Sequence, residues 1–354
     1  MQIKTLCLRN FRNFSSLNIK FTPGINLIFG ENAIGKTSVL EALYLISCGR
    51  SFKTSNLAEL INEKKSFFYI EAEILKDNIL QRIKIYYDQK TKKIEFNKTK
   101  YLSFNNLLGI MPLILYLPQD CDLITSKPNI RRSFLNLHLA QKDPLYVHHL
   151  IRFTKALKQR NYLLKKRDEK NLFCFEDILI NSASYITYQR KLFLEELNNP
   201  LQKNIKNLSK NISNLQIKYL SSIQEINSVD SIKSFYRNLL KKNRKKELDF
   251  KCTLFGPHRD EILFMTDDKI SKQFSSEGQK KAIISALKLS EYELLKSKLQ
   301  QSPLFAVDDF GVHLDTKHKD LLKSKIEKIP QVFITMPNIE KFNNANIIDL
   351  KSLN

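Results

Sequence analysis

A short glycine-containing loop between a strand-like run and a helix-like run constrains this chain more than any other feature of its sequence. Residues 30–37, GENAIGKT, fit the pattern G-x-x-x-x-G-K-[ST]. The apolar run at 24–29 is typical of a buried strand, and residues 38–47 space their apolar side chains as a helix does. Glycine permits the turns that aim backbone N–H groups at a phosphate, and the following helix adds partial positive charge. The pattern predicts a nucleoside triphosphate site, ATP with Mg²⁺, formed by Gly30, Glu31, Asn32, Ala33, Ile34, Gly35, Lys36 and Thr37.

The last two residues of this loop carry the expected chemistry. Lys36 is predicted to reach the β- and γ-phosphate oxygens, and the Thr37 hydroxyl is predicted to bind Mg²⁺. The alternative is a strand-to-helix turn that binds nothing. The strand pattern before the loop and the helix pattern after it disfavour that alternative, because they are the context that the motif requires.

A pair of acidic residues follows another apolar run near the C-terminus. In PLFAVDDFGVHLD, residues 303–315, the strand-like part ends at Asp308 and Asp309. A phosphate-binding loop needs a nearby carboxylate to hold Mg²⁺, and Asp308 is predicted to be that group. Asp309 would then orient or deprotonate the attacking water. Without the loop, an ordinary turn or helix-cap aspartate would explain the pair equally well.

A third element combines a serine and a glycine at the start of a long helical pattern. Residues 275–295 begin SSEGQKK, so Ser276 and Gly278 can present a hydroxyl and free N–H groups at a helix N-terminus. This arrangement predicts a second anion site. The alternative is a plain helix cap.

The charge of the chain indicates a polyanionic partner. It carries 58 Lys and Arg against 36 Asp and Glu, a formal net charge of +22. No recognition-helix or zinc motif for reading bases is present, so contacts to the phosphate backbone of DNA are expected. The alternative is a solvated lysine-rich surface. The clusters predicted to face DNA are Arg131 and Arg132, then Lys158, Arg160, Lys165, Lys166 and Arg167, and then Lys241, Lys242, Arg244, Lys245 and Lys246.

Cysteine usage and hydropathy indicate a cytoplasmic protein without a membrane partner. The five cysteines show neither a CxxC pair nor a zinc spacing, so they are expected to be reduced thiols. No apolar run is long enough to cross a bilayer, and the first residues do not have the layout of a signal peptide.

The periodicity of the chain divides it into three parts. Strand patterns dominate residues 1–125, helical patterns dominate 126–248, and mixed patterns return over 249–354, beginning with a strand predicted at DFKCTLFG, 249–256. The prediction is an α/β body in two lobes with a helical insert. Because sustained heptads are missing, the insert is expected to be a short arm or lobe and not a long coiled coil.

These motifs together resemble the ABC-type ATPase heads of chromosome-maintenance and repair proteins, and they are most similar to the RecF family. The resemblance implies an ABC-type P-loop ATPase head, with a mixed sheet plus an antiparallel sheet and a helical arm-like insert. The segments that carry it occur in family order over nearly the whole chain: LCLRNFRNF (6–14), GENAIGKTSVLEALYLISCGRSF (30–52), MPLILYLPQDCDLI (111–124), RRSFLN (131–136), KQRN (158–161), GPHRDEI (256–262), SEGQKKAIISALKL (276–289), VDDFGVHLD (307–315) and QVFIT (331–335).

The resemblance also implies a dimer that forms on ATP. The loop of one subunit would face Ser276 and Gly278 of the other across the nucleotide. Gln119 matches the position that senses Mg²⁺ and the attacking water, Asp315 matches the acid that communicates across the dimer, and Arg12 matches a residue that approaches the nucleotide.

Three departures from related heads indicate slow hydrolysis. Ser275 stands where many relatives have leucine, Asp309 where glutamate is frequent, and Thr335 where transporters use histidine. ATP is therefore expected to act as a timed switch in a slow, DNA-stimulated ATPase.

The implied function is recombinational DNA repair and replication. Proteins of this kind bind single-stranded, double-stranded and gapped DNA and act with RecO and RecR to load RecA. The alternatives are a transporter ATPase subunit, the head of an SMC- or Rad50-like ATPase, and a DNA binder with an inactive nucleotide site. The resemblance suggests that His258 and Arg259 matter, but composition and spacing assign them no role.

Overall fold

The chain forms two units. The computed structural model describes residues 1–223, 227–311, 316–337 and 342–353. The first unit contains Met1–Cys121, Asn204–Lys210 and Glu277–Asn354, and the second contains Asp122–Lys203 and Asn211–Ser276. The sequence placed 249–276 in the C-terminal lobe of the head. The structure groups these residues with the helical unit because 261–266 pair with 215–220 in one sheet.

The strands of the described residues are β1 (Gln2–Phe11), β2 (Phe14–Lys20), β3 (Gly24–Phe29), β4 (Phe68–Lys76), β5 (Ile79–Tyr87), β6 (Lys92–Phe96), β7 (Thr99–Tyr101), β8 (Leu113–Tyr116), β9 (Leu215–Leu220), β10 (Glu261–Thr266), β11 (Lys269–Ile270), β12 (Leu304–Val307), β13 (Gln331–Met336) and β14 (Asn346–Asp349). The helices are α1 (Lys36–Cys48), α2 (Asp122–Thr125), α3 (Pro128–Lys142), α4 (Pro144–Lys166), α5 (Phe173–Leu208), α6 (Val229–Phe250), α7 (Ser271–Phe274), α8 (Glu277–Leu299) and α9 (Thr316–Ile326). Short 3-10 helices cover Leu57–Leu60, Phe104–Leu107 and Pro118–Cys121.

A parallel five-stranded sheet forms the centre of the first unit. Its order is β14-β3-β13-β12-β8. All its paired strands are parallel, with Val332 opposite Ile25 and Phe305 opposite Val332. Strands β8, β12 and β13 are buried along their whole length, as expected for a parallel sheet covered on both faces. Because carboxyl ends of parallel strands share one edge, the segments after β3, β8 and β12 meet there.

A six-stranded antiparallel sheet completes the first unit. Its order is β2-β1-β4-β5-β6-β7. Alternate side chains such as Ile70, Ala72 and Ile74 in β4 are buried, as expected for an antiparallel sheet with one polar face. The parallel and antiparallel sheets with their helices confirm the α/β prediction.

The second unit is mainly helical, and it also contains the sheet β11-β10-β9. The strand predicted at 249–256 is wrong, because α6 continues to Phe250 and ends at Lys251, whose φ of 55° closes the helix. The inward positions Tyr236, Leu240 and Leu248 keep the helical spacing up to that end. Among the described helices, none is both long and apolar enough to cross a membrane.

Candidate functional site

The phosphate loop depends on a glycine that no other residue could replace without strain. Gly35 has a φ of 115°, which lies outside the range that side chains tolerate. A Cβ on Gly35 would lie 2.5 Å from Cζ of Phe14, whose ring is buried in β2. The Asn13 side chain donates to the Ala33 carbonyl at 2.6 Å and supports the loop from the β1–β2 turn. The loop is thus held in a conformation that only its glycines allow.

Lys36 is held at the loop by backbone oxygens. Its Nζ donates to the carbonyls of Gly30 at 2.7 Å and Glu31 at 2.9 Å, and the residue is 6% exposed. A buried ammonium requires such acceptors. From this position the charge can reach the phosphate oxygens of a triphosphate bound by the loop.

Three oxygen-bearing side chains meet at the carboxyl edge of the parallel sheet. The Asp308 carboxylate accepts a hydrogen bond from Thr37 Oγ1 at 3.1 Å and one from Thr335 Oγ1 at 2.6 Å. The Thr335 hydroxyl in turn accepts from the backbone N–H of Asp309 at 2.8 Å. Burial raises the pKa of Asp308, the charge of Asp309 adds to the increase, and the two threonine bonds oppose it.

This arrangement fits Mg²⁺ bound together with a nucleotide. A hydroxyl and a carboxylate are the hard oxygen ligands that Mg²⁺ prefers, and this ion usually completes its shell with water and phosphate. The described residues include no group of three or more His, Cys, Asp and Glu side chains that could hold a metal by themselves. Thr37 and Asp308 would therefore hold the ion only beside bound phosphates.

The second acid lies at a strained position beside a small cavity. Asp309 adopts a left-handed φ of 49° directly after β12. It lines a cavity of about 50 Å³ together with Asp308, Tyr116 and Lys281. This volume has room for one or a few water molecules. The placement is compatible with the predicted action of Asp309 on water.

Gln119 lies at the same sheet edge, in the 3-10 helix that follows β8, and its side chain is exposed. Its neighbour Asp120 is fixed, because its carboxylate accepts from the N–H of Leu117 at 2.7 Å. The same carboxylate pairs with Lys288 of α8 at 3.2 Å. Sequence reasoning missed this ion pair, although Asp120 stands in the same PQD segment as Gln119.

A second set of contacts connects the end of β8 to helices α8 and α9. The Tyr116 hydroxyl lies 3.0 Å from Ser285 Oγ in α8, and His318 Nε2 of α9 lies 3.1 Å from the same oxygen. Ser285 and Lys288 are three residues apart and share one face of α8. Helix α8 therefore supports the segment that carries Gln119.

Arg12 is partly exposed and forms an ion pair with the fully buried Glu41. Its Nε and Nη2 donate to the two carboxylate oxygens of Glu41 at 2.8 and 2.7 Å, and its Nη1 donates to the Glu59 carbonyl at 2.8 Å. Ser51 also contacts the Glu41 carboxylate. The pair ties the β1–β2 turn to α1. These bonds use three of the five N–H donors of the guanidinium, and the approach of Arg12 to the nucleotide stays a prediction.

Ser276 and Gly278 are the residues predicted to contact the nucleotide from the second subunit, and Asp315 is the acid predicted to communicate across the dimer. Ser276 is the last residue of the second unit, and α8 begins at Glu277 in the first. A Cβ on Gly278 would meet no atom within 4 Å. Asp315 lies outside the described residues. The roles of Ser276, Gly278 and Asp315 stay predictions.

Two arginines predicted to face DNA are instead buried in the second unit. Arg131 is 5% exposed and makes a two-bond ion pair with Glu261 at 2.8 and 2.9 Å. Arg160 has no exposed surface and pairs with Glu247 at 2.6 Å and Glu176 at 3.0 Å. A buried, fully paired guanidinium cannot contact a phosphate backbone, so the structure does not support these two assignments.

The basic run on α6 is only partly available to a partner. Arg244 turns toward Glu176 and pairs with it at 2.8 Å. The other four cations of the run lie on one side of α6 and are exposed: Lys241, Lys242, Lys245 and Lys246. These four remain candidates for DNA contacts.

Comparisons with known proteins agree on one family. The family model described as an AAA ATPase domain matches residues 1–353. The DNA replication and repair protein RecF of Protochlamydia amoebophila is 38% identical over 336 residues, covering 95% of this chain and 94% of that protein. A solved structure of the recombination mediator protein RecF with ATPrS in the RecFOR pathway superposes with a TM-score of 0.90 at 30% identity, covering 98% of this chain and 97% of that one. A second, of RecF with ATP in the same pathway, gives a TM-score of 0.90 at 31% identity, with coverage of 96% and 93%.

Proposed function

This chain belongs to the RecF family of DNA replication and repair proteins, and from that premise we propose that it is an ATP-gated DNA-binding protein of recombinational repair. The observation that carries the proposal is the meeting of Lys36, Thr37 and Asp308 at one edge of the parallel sheet. Relatives of similar length and fold are described with ATP and as DNA repair proteins. ATP with Mg²⁺ is the ligand that the donor set favours.

The nucleotide would join two copies of the chain. Lys36 and Thr37 of one subunit would bind the triphosphate from one side, and Ser276 and Gly278 of the second subunit would bind it from the other. A γ-phosphate held by both subunits binds the dimer better than the monomer, so association becomes dependent on ATP. In this dimer, Asp315 would communicate between subunits, and Arg12 would approach the nucleotide.

Hydrolysis would be slow and would time the release of the dimer. Asp309 acts on the water, and Gln119 senses the water and Mg²⁺. The Thr335 hydroxyl is already bonded to Asp308 and to the Asp309 N–H, and it cannot act as the histidine of transporter ATPases does. ATP then serves as a switch that DNA stimulates.

The partner would be DNA held by its phosphates. The four exposed lysines of α6 offer a row of cations without any device for reading bases. Gapped DNA with single-stranded and double-stranded parts is the proposed substrate. RecO and RecR are the proposed partners, RecA loading is the proposed outcome, and the cytoplasm is the proposed location. The transporter and SMC- or Rad50-like alternatives account less well for a match to RecF over nearly the whole chain.

The test is equilibrium binding of fluorescent gapped DNA with ATP and Mg²⁺, with ADP, and without nucleotide. We expect wild-type protein and the Asp309→Asn variant to bind DNA more tightly with ATP, and the Lys36→Ala variant to show no ATP effect. DNA affinity that is equal under all three conditions would refute the proposal.

A further inference from the structure

The GPHRD loop, residues 256–260, has no role in the nucleotide site described above. It begins at Gly256, whose φ is 133°, and the Arg259 N–H donates back to the Gly256 carbonyl at 2.8 Å. The His258 ring nitrogen Nε2 lies 3.1 Å from the Thr253 carbonyl. These contacts form a closed turn in the second unit.

A buried network of hydrogen bonds holds this turn in place. Arg190 donates to the Pro257 carbonyl at 2.6 Å, to the Asn136 side chain at 2.9 Å and to the Tyr146 hydroxyl at 3.2 Å. Asp260 is 3% exposed and accepts a hydrogen bond from the Tyr219 hydroxyl. Because the backbone on both sides of Arg259 is anchored, this side chain is presented from a rigid support.

The guanidinium groups of Arg132, in α3, and Arg259, in the loop, both lie at this turn. Among the described residues, neither has a carboxylate partner within 4.0 Å. Arg132 Nη1 donates to the Asp260 carbonyl at 3.0 Å, and the exposed Arg259 has a sulfur atom, Cys252 Sγ, at 3.5 Å from its Nη2. Thioether and thiol sulfurs are weak acceptors, so most donors of Arg259 remain available. Burial, together with the smaller effects of the charges of Arg259, Arg132 and Arg190, lowers the pKa of His258 to about 4. The positive charge around the loop is therefore concentrated and only partly neutralised.

The loop also continues a basic surface. Cys252, which Arg259 contacts, lies two residues beyond the end of α6 at Phe250. The exposed Lys245 and Lys246 precede that end, and the exposed Lys251 follows it. The contact between Arg259 and Cys252 therefore places the GPHRD loop beside the C-terminal end of α6, which carries these exposed lysines.

We propose that Arg259 and Arg132 bind consecutive phosphates of a DNA backbone that follows the exposed lysines of α6. Guanidinium groups form two parallel hydrogen bonds to a phosphate, and a fixed support reduces the conformational entropy lost on binding. Buried Arg190 and Asp260 act as positioning residues that hold the loop. This inference rests on the proposed binding of DNA.

The experiment measures duplex-DNA affinity against salt concentration, with ATP and Mg²⁺, for wild type, Arg259→Ala and the charge-matched control Lys170→Ala. Lys170 is an exposed cation of the same unit in the segment between α4 and α5, distant in sequence from α6 and the GPHRD loop. Loss of one phosphate contact lowers the slope of log affinity against log salt by about 0.9 and weakens binding about eightfold at 0.1 M salt. We expect these changes for Arg259→Ala only, with ATP affinity and unfolding temperature unchanged. Arg259→Lys should restore the slope but only part of the affinity, because lysine lacks the two-bond geometry.

The inference is overturned if wild type binds DNA and Arg259→Ala matches Lys170→Ala in both slope and affinity. It is also overturned if Arg259→Ala loses binding to a polyglutamate probe while keeping its DNA affinity, because the loop would then serve an acidic protein. A wild-type protein that binds no DNA with ATP would refute the proposed function itself.

Discussion

Thr37 Oγ1 donates a hydrogen bond to Asp308 Oδ1 over 3.1 Å, although the two residues are 271 positions apart in the sequence. The bond joins the first turn of α1 to the carboxyl end of β12. It exists because β3 and β12 belong to one parallel sheet, with β13 between them. The oxygen ligands for Mg²⁺ are therefore assembled by the topology of the sheet.

The first prediction concerns the cost of burying Asp308, which is 8% exposed. Its pKa is raised above the ordinary value of 3.8, so the folded protein binds this proton more strongly than the unfolded chain does. The free energy of unfolding must then decrease as pH rises from 3.8 through the raised pKa, and the full penalty applies above that pKa. Asp308→Asn is expected to stabilise the nucleotide-free protein at pH 7 and to abolish Mg²⁺-dependent ATP binding.

Denaturant unfolding of both proteins at several pH values checks this prediction. The stability difference should close as pH falls below the raised pKa, where wild-type Asp308 is also neutral. A variant that is less stable than wild type at pH 7 would contradict it.

The second prediction concerns Gly35. Alanine there requires a φ of 115° and places Cβ 2.5 Å from the Phe14 ring. We expect Gly35→Ala to lower the free energy of unfolding by about 1–3 kcal/mol and to remove ATP binding. Gly278→Ala is the control, because its Cβ meets nothing within 4 Å and alanine favours a helix by about 0.5–1 kcal/mol. Thermal unfolding without ATP distinguishes the stabilities of the two variants, and added ATP should raise the unfolding temperature of wild type but not of Gly35→Ala. Equal stability of the variants would contradict the strain argument.

The third prediction concerns the ion pair between Asp120 and Lys288, whose side chains are 16% and 9% exposed. Lys288→Met removes the partner of the Asp120 carboxylate at 3.2 Å and of the buried Glu291 carboxylate at 3.8 Å, so a loss of about 3–5 kcal/mol is expected. The double variant Asp120→Asn/Lys288→Met should recover the part of this loss that comes from Asp120. Because Asp120 adjoins Gln119, the single variant should also slow ATP hydrolysis more than ATP binding is weakened.

A surface pair provides the control for that experiment. Lys280 pairs with Glu277, which is 72% exposed, and Lys280→Met is expected to cost less than about 1 kcal/mol. If the single and double variants at the Asp120–Lys288 pair unfold alike, the two residues are not coupled.

The fourth prediction separates structural arginines from DNA contacts. Arg160→Met leaves the fully buried Glu247 without its arginine, while Glu176 keeps its pair with Arg244, and should cost about 3–5 kcal/mol of stability. Lys158→Ala changes an exposed cation of the same helix and should leave stability within about 0.5 kcal/mol. Chemical unfolding measures both. An Arg160→Met protein as stable as wild type but weaker on DNA would restore Arg160 to the DNA surface.

The sequence was sufficient where the chemistry lies in one contiguous motif. Local patterns, with the rule that the carboxyl ends of parallel strands share one edge, were enough to predict the phosphate loop with Lys36 and Thr37 and the acid Asp308. The partners of these residues could not be predicted in the same way. Thr335 contacts Asp308, and Lys288 contacts Asp120, because the fold brings distant segments together. A single sequence contains no pattern that reveals such contacts.

The burial of Arg160, which was predicted from the sequence to face DNA, has a physical explanation. Charge alone suggested that Arg160 faces solvent. Yet Phe153, Ala156 and Leu164 recur at helical spacing with it and form the buried face of α4. The helical period could thus have placed Arg160 inside. Its partners Glu176 and Glu247 come from other helices and could not have been identified.

The central claim is that one ATP is held by Lys36 of one subunit and Ser276 of the other. Light scattering with ATP and Mg²⁺ tests it directly for Lys36→Ala, Ser276→Arg and their equimolar mixture, each in the Asp309→Asn background. Each variant alone has both nucleotide sites damaged and should stay monomeric, whereas a mixed dimer keeps one intact site. The account predicts a dimer mass only in the mixture and in the Asp309→Asn parent. A mixture that remains monomeric while the parent dimerises would contradict it.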